Sequence, residues 1–145
     1  MREPIIRSVE IAAPPEQVFR LLVEPASLQR WWPDVAELEA REGGRFRMEF
    51  AGGDSVVTGE VAVYEPPRAL GLAWAWDGRA PETATRIDLT VTPLAGDRGC
   101  RVEVVHSGWE RIPELRPAHD AGWGHFLGSL AALAEGRPFE RTFRP

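Results

Sequence analysis

The chain has 145 residues, 43% of them hydrophobic, and a formal net charge of −5. It is long enough to bury a core and too apolar for a disordered chain. The acidic balance argues against a general nucleic-acid binder, which carries a basic stripe, and no apolar run approaches the ~20 residues that span a bilayer.

The first fifteen residues, MREPIIRSVEIAAPP, place Glu3 and Glu10 where a signal peptide needs an uninterrupted apolar stretch, so a cytoplasmic location is expected. Within them, PIIRSVEIAA reads as a strand with Ile5, Val9 and Ile11 on one face. APPEQVFRLLVEP then reads as a helix: its prolines suit a first turn, and Val18, Phe19, Leu22 and Val23 form its apolar side. A second short turn, ASLQRWW, stops at Pro33, with Trp31-Trp32 expected to cap that end, one ring inside and the other at the surface. Strands follow to about residue 110. VAELEA turns at Gly43-Gly44 into RFRMEF, where Phe46, Met48 and Phe50 alternate with charged residues. DSVVTGEVAVYE, RALGLAWAW, RIDLTVTPL and CRVEVVHSGW come next, the last two joined by a turn at residues 96–99. The segment from Glu110 to His119 contains Pro113 and Pro117 and is expected to be a loop, and GWGHFLGSLAALAEG closes the chain as a helix. Antiparallel strands with helices set apart predict an α+β fold in a single domain over residues 1–145.

The strand faces are lopsided. Leu70, Leu72, Trp74 and Trp76 share one face of their strand; Ile87 and Leu89 lie together on the next, and Val102, Val104 and His106 on the one after. Such a sheet is covered on one side only, and the last helix can supply the cover. With Trp123 at the centre of its stripe, Phe126, Leu127, Leu130, Leu133 and Ala134 fall within about 80°, while His125, Ser129 and Ala132 lie opposite. Gly122, Gly124 and Gly128 sit at the flanks of that stripe, although an interior glycine costs a helix about 1 kcal/mol relative to alanine. Two readings fit: the glycines let the helix approach its neighbours closely, or they leave a cavity beside it.

The ordered set VEIAAPPEQVFRLLVEPASLQRWW, GGRFRMEF, GEVAVYEPPRALGLAWAW, VEVVHSGW and GWGHFLGSLAAL resembles the START-like (SRPBCC) superfamily, within it the homologues of the activator of the 90-kDa heat-shock protein ATPase. The resemblance implies a helix-grip fold: a curved antiparallel sheet of about seven strands around a long C-terminal helix, with two short helices after the first strand. It also implies an elongated hydrophobic cavity between sheet and helix, and it raises a chaperone ATPase as a partner. The eukaryotic activators carry a separate N-terminal domain with no counterpart before the first strand here, so a different role is expected.

Aromatic walls with a few polar groups suit a small-molecule pocket. The expected void is lined by Trp74, Trp76, His106 and Trp123, and the wider set of candidate ligand-binding residues adds Phe19, Trp32, Phe46, Met48, Leu72, Leu89, Val104, Trp109, Phe126, Leu127 and Leu130. His106 is the one candidate for catalysis, as a general base near neutral pH. His119 and His125 lie about 240° apart on a helix and cannot chelate one metal as an i, i+4 pair does. The single cysteine, Cys100, leaves no internal disulfide and no cysteine metal cluster. The absence of lysine removes Schiff-base chemistry from the chain's own residues. There is no nucleophile elbow, P-loop or dinucleotide fingerprint, so no cofactor and no metal are expected. The leading expectation is a carrier or sensor of a small hydrophobic molecule such as a lipid. A cyclase or dehydratase using the same cavity is the alternative, and it requires His106 to be free to ionise. A homodimer through exposed edge strands is a further expectation.

Overall fold

The computed structural model describes residues 3–143. Strand β1 (Ile5–Ile11) is followed by helices α1 (Pro15–Val23) and α2 (Pro25–Trp31). The meander β2 (Val35–Leu38), β3 (Arg45–Phe50), β4 (Ser55–Glu65), β5 (Ala69–Trp76), β6 (Thr85–Pro93) and β7 (Cys100–Ser107) leads to helix α3 (Arg116–Ala134). The seven strands form one antiparallel, curved sheet in the order β1-β7-β6-β5-β4-β3-β2, which is the α+β helix-grip arrangement. Every neighbouring pair except β1/β7 is consecutive in the chain, so five hairpin-type links build most of the sheet and β1 is added at the far edge by β7. Among the described residues, no helix is long and apolar enough to cross a membrane.

Period-two alternation accounts for the inner face. Leu70, Leu72, Trp74 and Trp76 on β5, Thr85, Ile87, Leu89 and Val91 on β6, and Cys100, Val102, Val104 and His106 on β7 are all buried. Strand β4 changes phase partway. Val57 and Val61 are buried, and the register slips between Val61 and Val63. Beyond that bulge the inward position moves to Tyr64, whose ring packs 5.9 Å from Phe19. Glu60, whose facing the sequence leaves ambiguous, is exposed opposite Arg45.

The structure corrects three local expectations. Trp31 and Trp32 are both buried, because α2 delivers them into the core and not onto its rim. Trp31 donates its indole N–H to the Leu21 carbonyl at 2.8 Å, and Trp32 stacks flat on Trp74 at 5.3 Å and 2°. The stretch after Glu110 is not a loop throughout. Two short 3₁₀ turns lead straight into α3, and Pro117 sits in its first turn, where the missing N–H costs nothing. Finally, Ser129 and Ala132 are buried, not exposed. Helices α1 and α2 touch α3. The chain also returns along α3 after Gly136, with Arg137 N–H bonded to the Ala132 carbonyl and His125 Nε2 near the Arg141 carbonyl. Ser129 meets its burial by donating to the His125 carbonyl one turn back.

Candidate functional site

The inner aromatic residues meet between the concave sheet and the first half of α3. There they leave a cavity of about 160 Å³, walled by Trp32, Phe50, Val57, Trp74, Trp76, His106, Trp123, Phe126 and Phe143, with Ser55, Ala118, His119 and Gly122 completing the lining. Ala118 is exposed and marks the side on which the cavity reaches the surface. A void of about 150 Å³ is enough to hold a benzene ring. Wider depressions, such as one of about 730 Å³ along Leu38 and Thr58, carry the exposed charges of Glu37, Glu39, Arg45 and Arg47 and lie on the surface. They lack the aromatic enclosure.

Six of the residues singled out from the sequence border this space: Trp32, Trp74, Trp76, His106, Trp123 and Phe126. The others do not reach it. Phe19, Phe46, Met48, Leu72, Leu89, Val104, Trp109, Leu127 and Leu130 are buried in the surrounding core. Phe46 and Trp109 stand directly behind the wall, Phe46 stacked on Trp74 at 5.9 Å and Trp109 6.2 Å from Trp76. Sequence reasoning missed Phe50, Ser55, Val57, Ala118, His119 and Phe143 as lining residues, and it named Gly122 only as one of three glycines beside a possible cavity. Phe50 and Val57 follow from the same alternation that placed Phe46 and Met48. Phe143 could not be found that way, since only the return of the tail over α3 brings its ring to 5.9 Å from Phe126.

His106 is held on every side. The Trp123 indole N–H donates to its Nδ1 at 3.1 Å, and Thr85 Oγ1 lies 2.7 Å from its Nε2. An indole can only donate, so Nδ1 is the bare nitrogen and Nε2 carries the proton. That proton goes to Thr85, whose hydroxyl is 3.5 Å from the Trp74 carbonyl. Gly108, at φ +97°, turns the chain so that Trp109 folds back, donates its N–H to the His106 carbonyl at 2.8 Å and lays its ring 4.4 Å from the imidazole. Burial, with His119 nearby, pushes the His106 pKa down to about 2. A neutral imidazole with both nitrogens engaged supplies no general base at pH 7, which removes the one catalytic candidate the sequence offered.

His119 is placed differently. Its Nδ1 lies 2.8 Å from the Leu115 carbonyl, so Nδ1 carries the proton and Nε2 is an acceptor. Its ring stands on edge against Trp76 at 5.0 Å and against His106 at 5.5 Å. Burial lowers its pKa, and the hydrogen bond to Leu115 opposes that shift. Nε2 has no hydrogen-bond partner among the described residues. Trp74 Nε1 is the only side-chain nitrogen or oxygen among them that is both sealed from solvent and unpartnered.

The tail is tied to the body of the protein through Asp34. Arg141 donates to Asp34 Oδ1 at 2.6 Å, while Asp34 Oδ2 accepts the Gly52 N–H at 2.9 Å. The Gly52 N–H and the Arg141 guanidinium hold the Asp34 carboxyl below the usual carboxylate range. One acidic side chain thus joins the C-terminal segment, the α2–β2 junction and the β3–β4 turn.

The family model described as "Activator of Hsp90 ATPase homolog 1-like protein" matches residues 12–135. A search of curated proteins gives no match. Among solved structures, protein CV1439 from Chromobacterium violaceum is 28% identical over 92% of this chain and 99% of its own, with a TM-score of 0.75. Protein MLL2253 from Mesorhizobium loti is 24% identical over 94% and 100%, with a TM-score of 0.79. The Aha1 dimer from Colwellia psychrerythraea is 22% identical over 92% and 97%, with a TM-score of 0.78.

Proposed function

The chain belongs to the Activator of Hsp90 ATPase homolog 1-like family, and from that premise we propose that it is a binding protein for a small hydrophobic molecule, held in the cavity under α3. The observation that carries this reading is the cavity itself: about 160 Å³ walled almost wholly by aromatic rings. A packed core fills its interior to crystal density, and a benzene-sized void costs it stability. Aromatic enclosure with few polar groups is the usual composition of a small-molecule site. The volume favours a ligand about one ring in size over a long acyl chain. The locked state of His106 weighs against an acid–base enzyme and for binding.

Toluene is a suitable first probe. A ligand at about 100 times its Kd adds about 2.7 kcal/mol to folding stability, so saturating toluene should raise Tm by several degrees. Gly122→Leu, which grows a side chain into the cavity from α3, should fold and lose that response. An unchanged Tm in the parent protein across the solubility range of toluene would reject the reading.

A further inference from the structure

All but one of the residues around the cavity sit on a strand, on α3 or, for Trp32, at the end of α2. Phe143 is the exception. It comes from the segment after Gly136, which has no regular secondary structure, and it is half-buried, with its ring 5.9 Å from Phe126 and 5.4 Å from His125. The ring approaches α3 at Gly122, where an added Cβ would stand 3.8 Å from it, so that helix position carries no side chain into the space beside the ring. One clamp holds the segment in place. Asp34 accepts from Arg141 at 2.6 Å and from the Gly52 N–H at 2.9 Å, and Arg141 also reaches the Pro33 carbonyl at 3.4 Å. The clamp stands two residues from three wall rings: Trp32 precedes Asp34, Phe50 precedes Gly52, and Phe143 follows Arg141. The side chains of Arg141 and Asp34 are 39% and 32% exposed, and an ion pair so open to solvent holds weakly. Phe143 is thus the wall ring that gives way at least cost.

From this we infer that Phe143 sets the size limit of the guest: with the tail tied, the cavity takes one aromatic ring, and a fused second ring enters only where the Phe143 ring now lies. The inference rests on the binding reading above and adds its size selectivity. About 160 Å³ matches a benzene-sized void, so two fused rings need more room than the closed cavity holds. Packing at crystal density leaves the strands and α3 no slack to supply it. Withdrawing one ring from the wall does supply it, because the vacated space adjoins both the cavity and the bare face of α3 at Gly122. Among the described residues no Asp, Glu or Arg lines the cavity, and desolvating an ion there is costly, so the guests that separate size from other effects are neutral hydrocarbons.

Toluene and naphthalene differ in ring number and carry no polar group. Scanning calorimetry, with each hydrocarbon at half its aqueous saturation, reads each shift from that protein's own unliganded Tm. Toluene should raise the parent's Tm by several degrees. Naphthalene should leave it within about 1 °C, as expected for a ligand well below its Kd. In Phe143→Ala, naphthalene should raise Tm by several degrees, and by more than toluene does. Arg141→Gln keeps every wall side chain and cuts only the tether, so it too should respond to naphthalene, which a fixed wall would not allow. If naphthalene raises the parent's Tm as much as toluene, the size limit is overturned and the hydrophobic-cavity reading stands. If Phe143→Ala responds to toluene and still not to naphthalene, Phe143 is not the residue that sets the limit. Should that variant fail to fold, Arg141→Gln decides alone: a naphthalene response supports the assignment to the tail, and its absence overturns it. If toluene leaves the parent unmoved, the binding reading falls and this inference with it.

Discussion

His106 shows how a residue can sit where chemistry would need it and still be barred from it. The sequence places it on an inward strand position beside two tryptophans by simple alternation, and the structure agrees. What alternation could not reveal is that Trp123 and Thr85 would take both nitrogens. His119 was legible only in part. Spacing set it apart from His125, which is correct, but Pro113 and Pro117 read as loop signals and hid its place on the first turn of α3. A proline at the start of a helix and a proline in a loop look alike until the following residues are seen to pack. At this scale Thr85→Val is the sharp test. It keeps the side-chain shape and strands the Nε2 proton of His106, so urea unfolding should show a loss of about 1–3 kcal/mol.

Among the elements, α3 sets its three glycines in three different surroundings. A Cβ at Gly124 would stand 2.9 Å from the Arg7 guanidinium, the movable end of an exposed side chain that also reaches Asp120 at 2.8 Å. A Cβ at Gly122 would stand 3.8 Å from the rings of Phe126 and Phe143, where it would take cavity space. At Gly128 nothing lies within 4 Å. The strands, α1 and the last helix from Gly122 onward were readable because each is fixed by local periodicity and turn residues. The bulge in β4 and the returning tail were not, because both are set by partners distant in sequence. The tail makes its own prediction. Arg141→Gln should cost less than about 1 kcal/mol, as expected for a partly exposed ion pair. It should nonetheless loosen Phe143 in the cavity wall, and the dissociation rate of a bound ring, read by stopped-flow tryptophan fluorescence, should rise severalfold. An unchanged rate would remove the tail from any role in closure.

For the molecule as a whole, the two buried histidines set the acid side of stability. The folded pKa of His106 is pushed down to about 2 from 6.5, and that of His119 is lowered as well. Below pH 6.5 the unfolded chain therefore takes up protons that the folded chain refuses. Stability is fully present above that pH and falls as the pH drops, by about 1.4 kcal/mol per pH unit for His106 once well below 6.5, with His119 adding a loss of the same sign. Asp34 and Glu135, both lowered by hydrogen bonds, add a loss of the same sign at lower pH, as their carboxylates are protonated. Urea midpoints should thus begin to fall between pH 7 and 5.5, before carboxylates matter, and a flat profile there would contradict the buried neutral state of both rings.

The stacking of Trp32 on Trp74, parallel to 2° at 5.3 Å, with Trp31 and Trp123 each within 5.4 Å of Trp32, has an optical consequence. Indoles this close share their excited states, so the circular dichroism of the protein should carry a paired band of opposite signs at the strong far-ultraviolet indole absorption and not the sum of isolated chromophores. Because Trp32, Trp74 and Trp123 also wall the cavity, any guest that tilts one ring would alter that couplet. The protein carries its own spectroscopic gauge of occupancy, with no label attached.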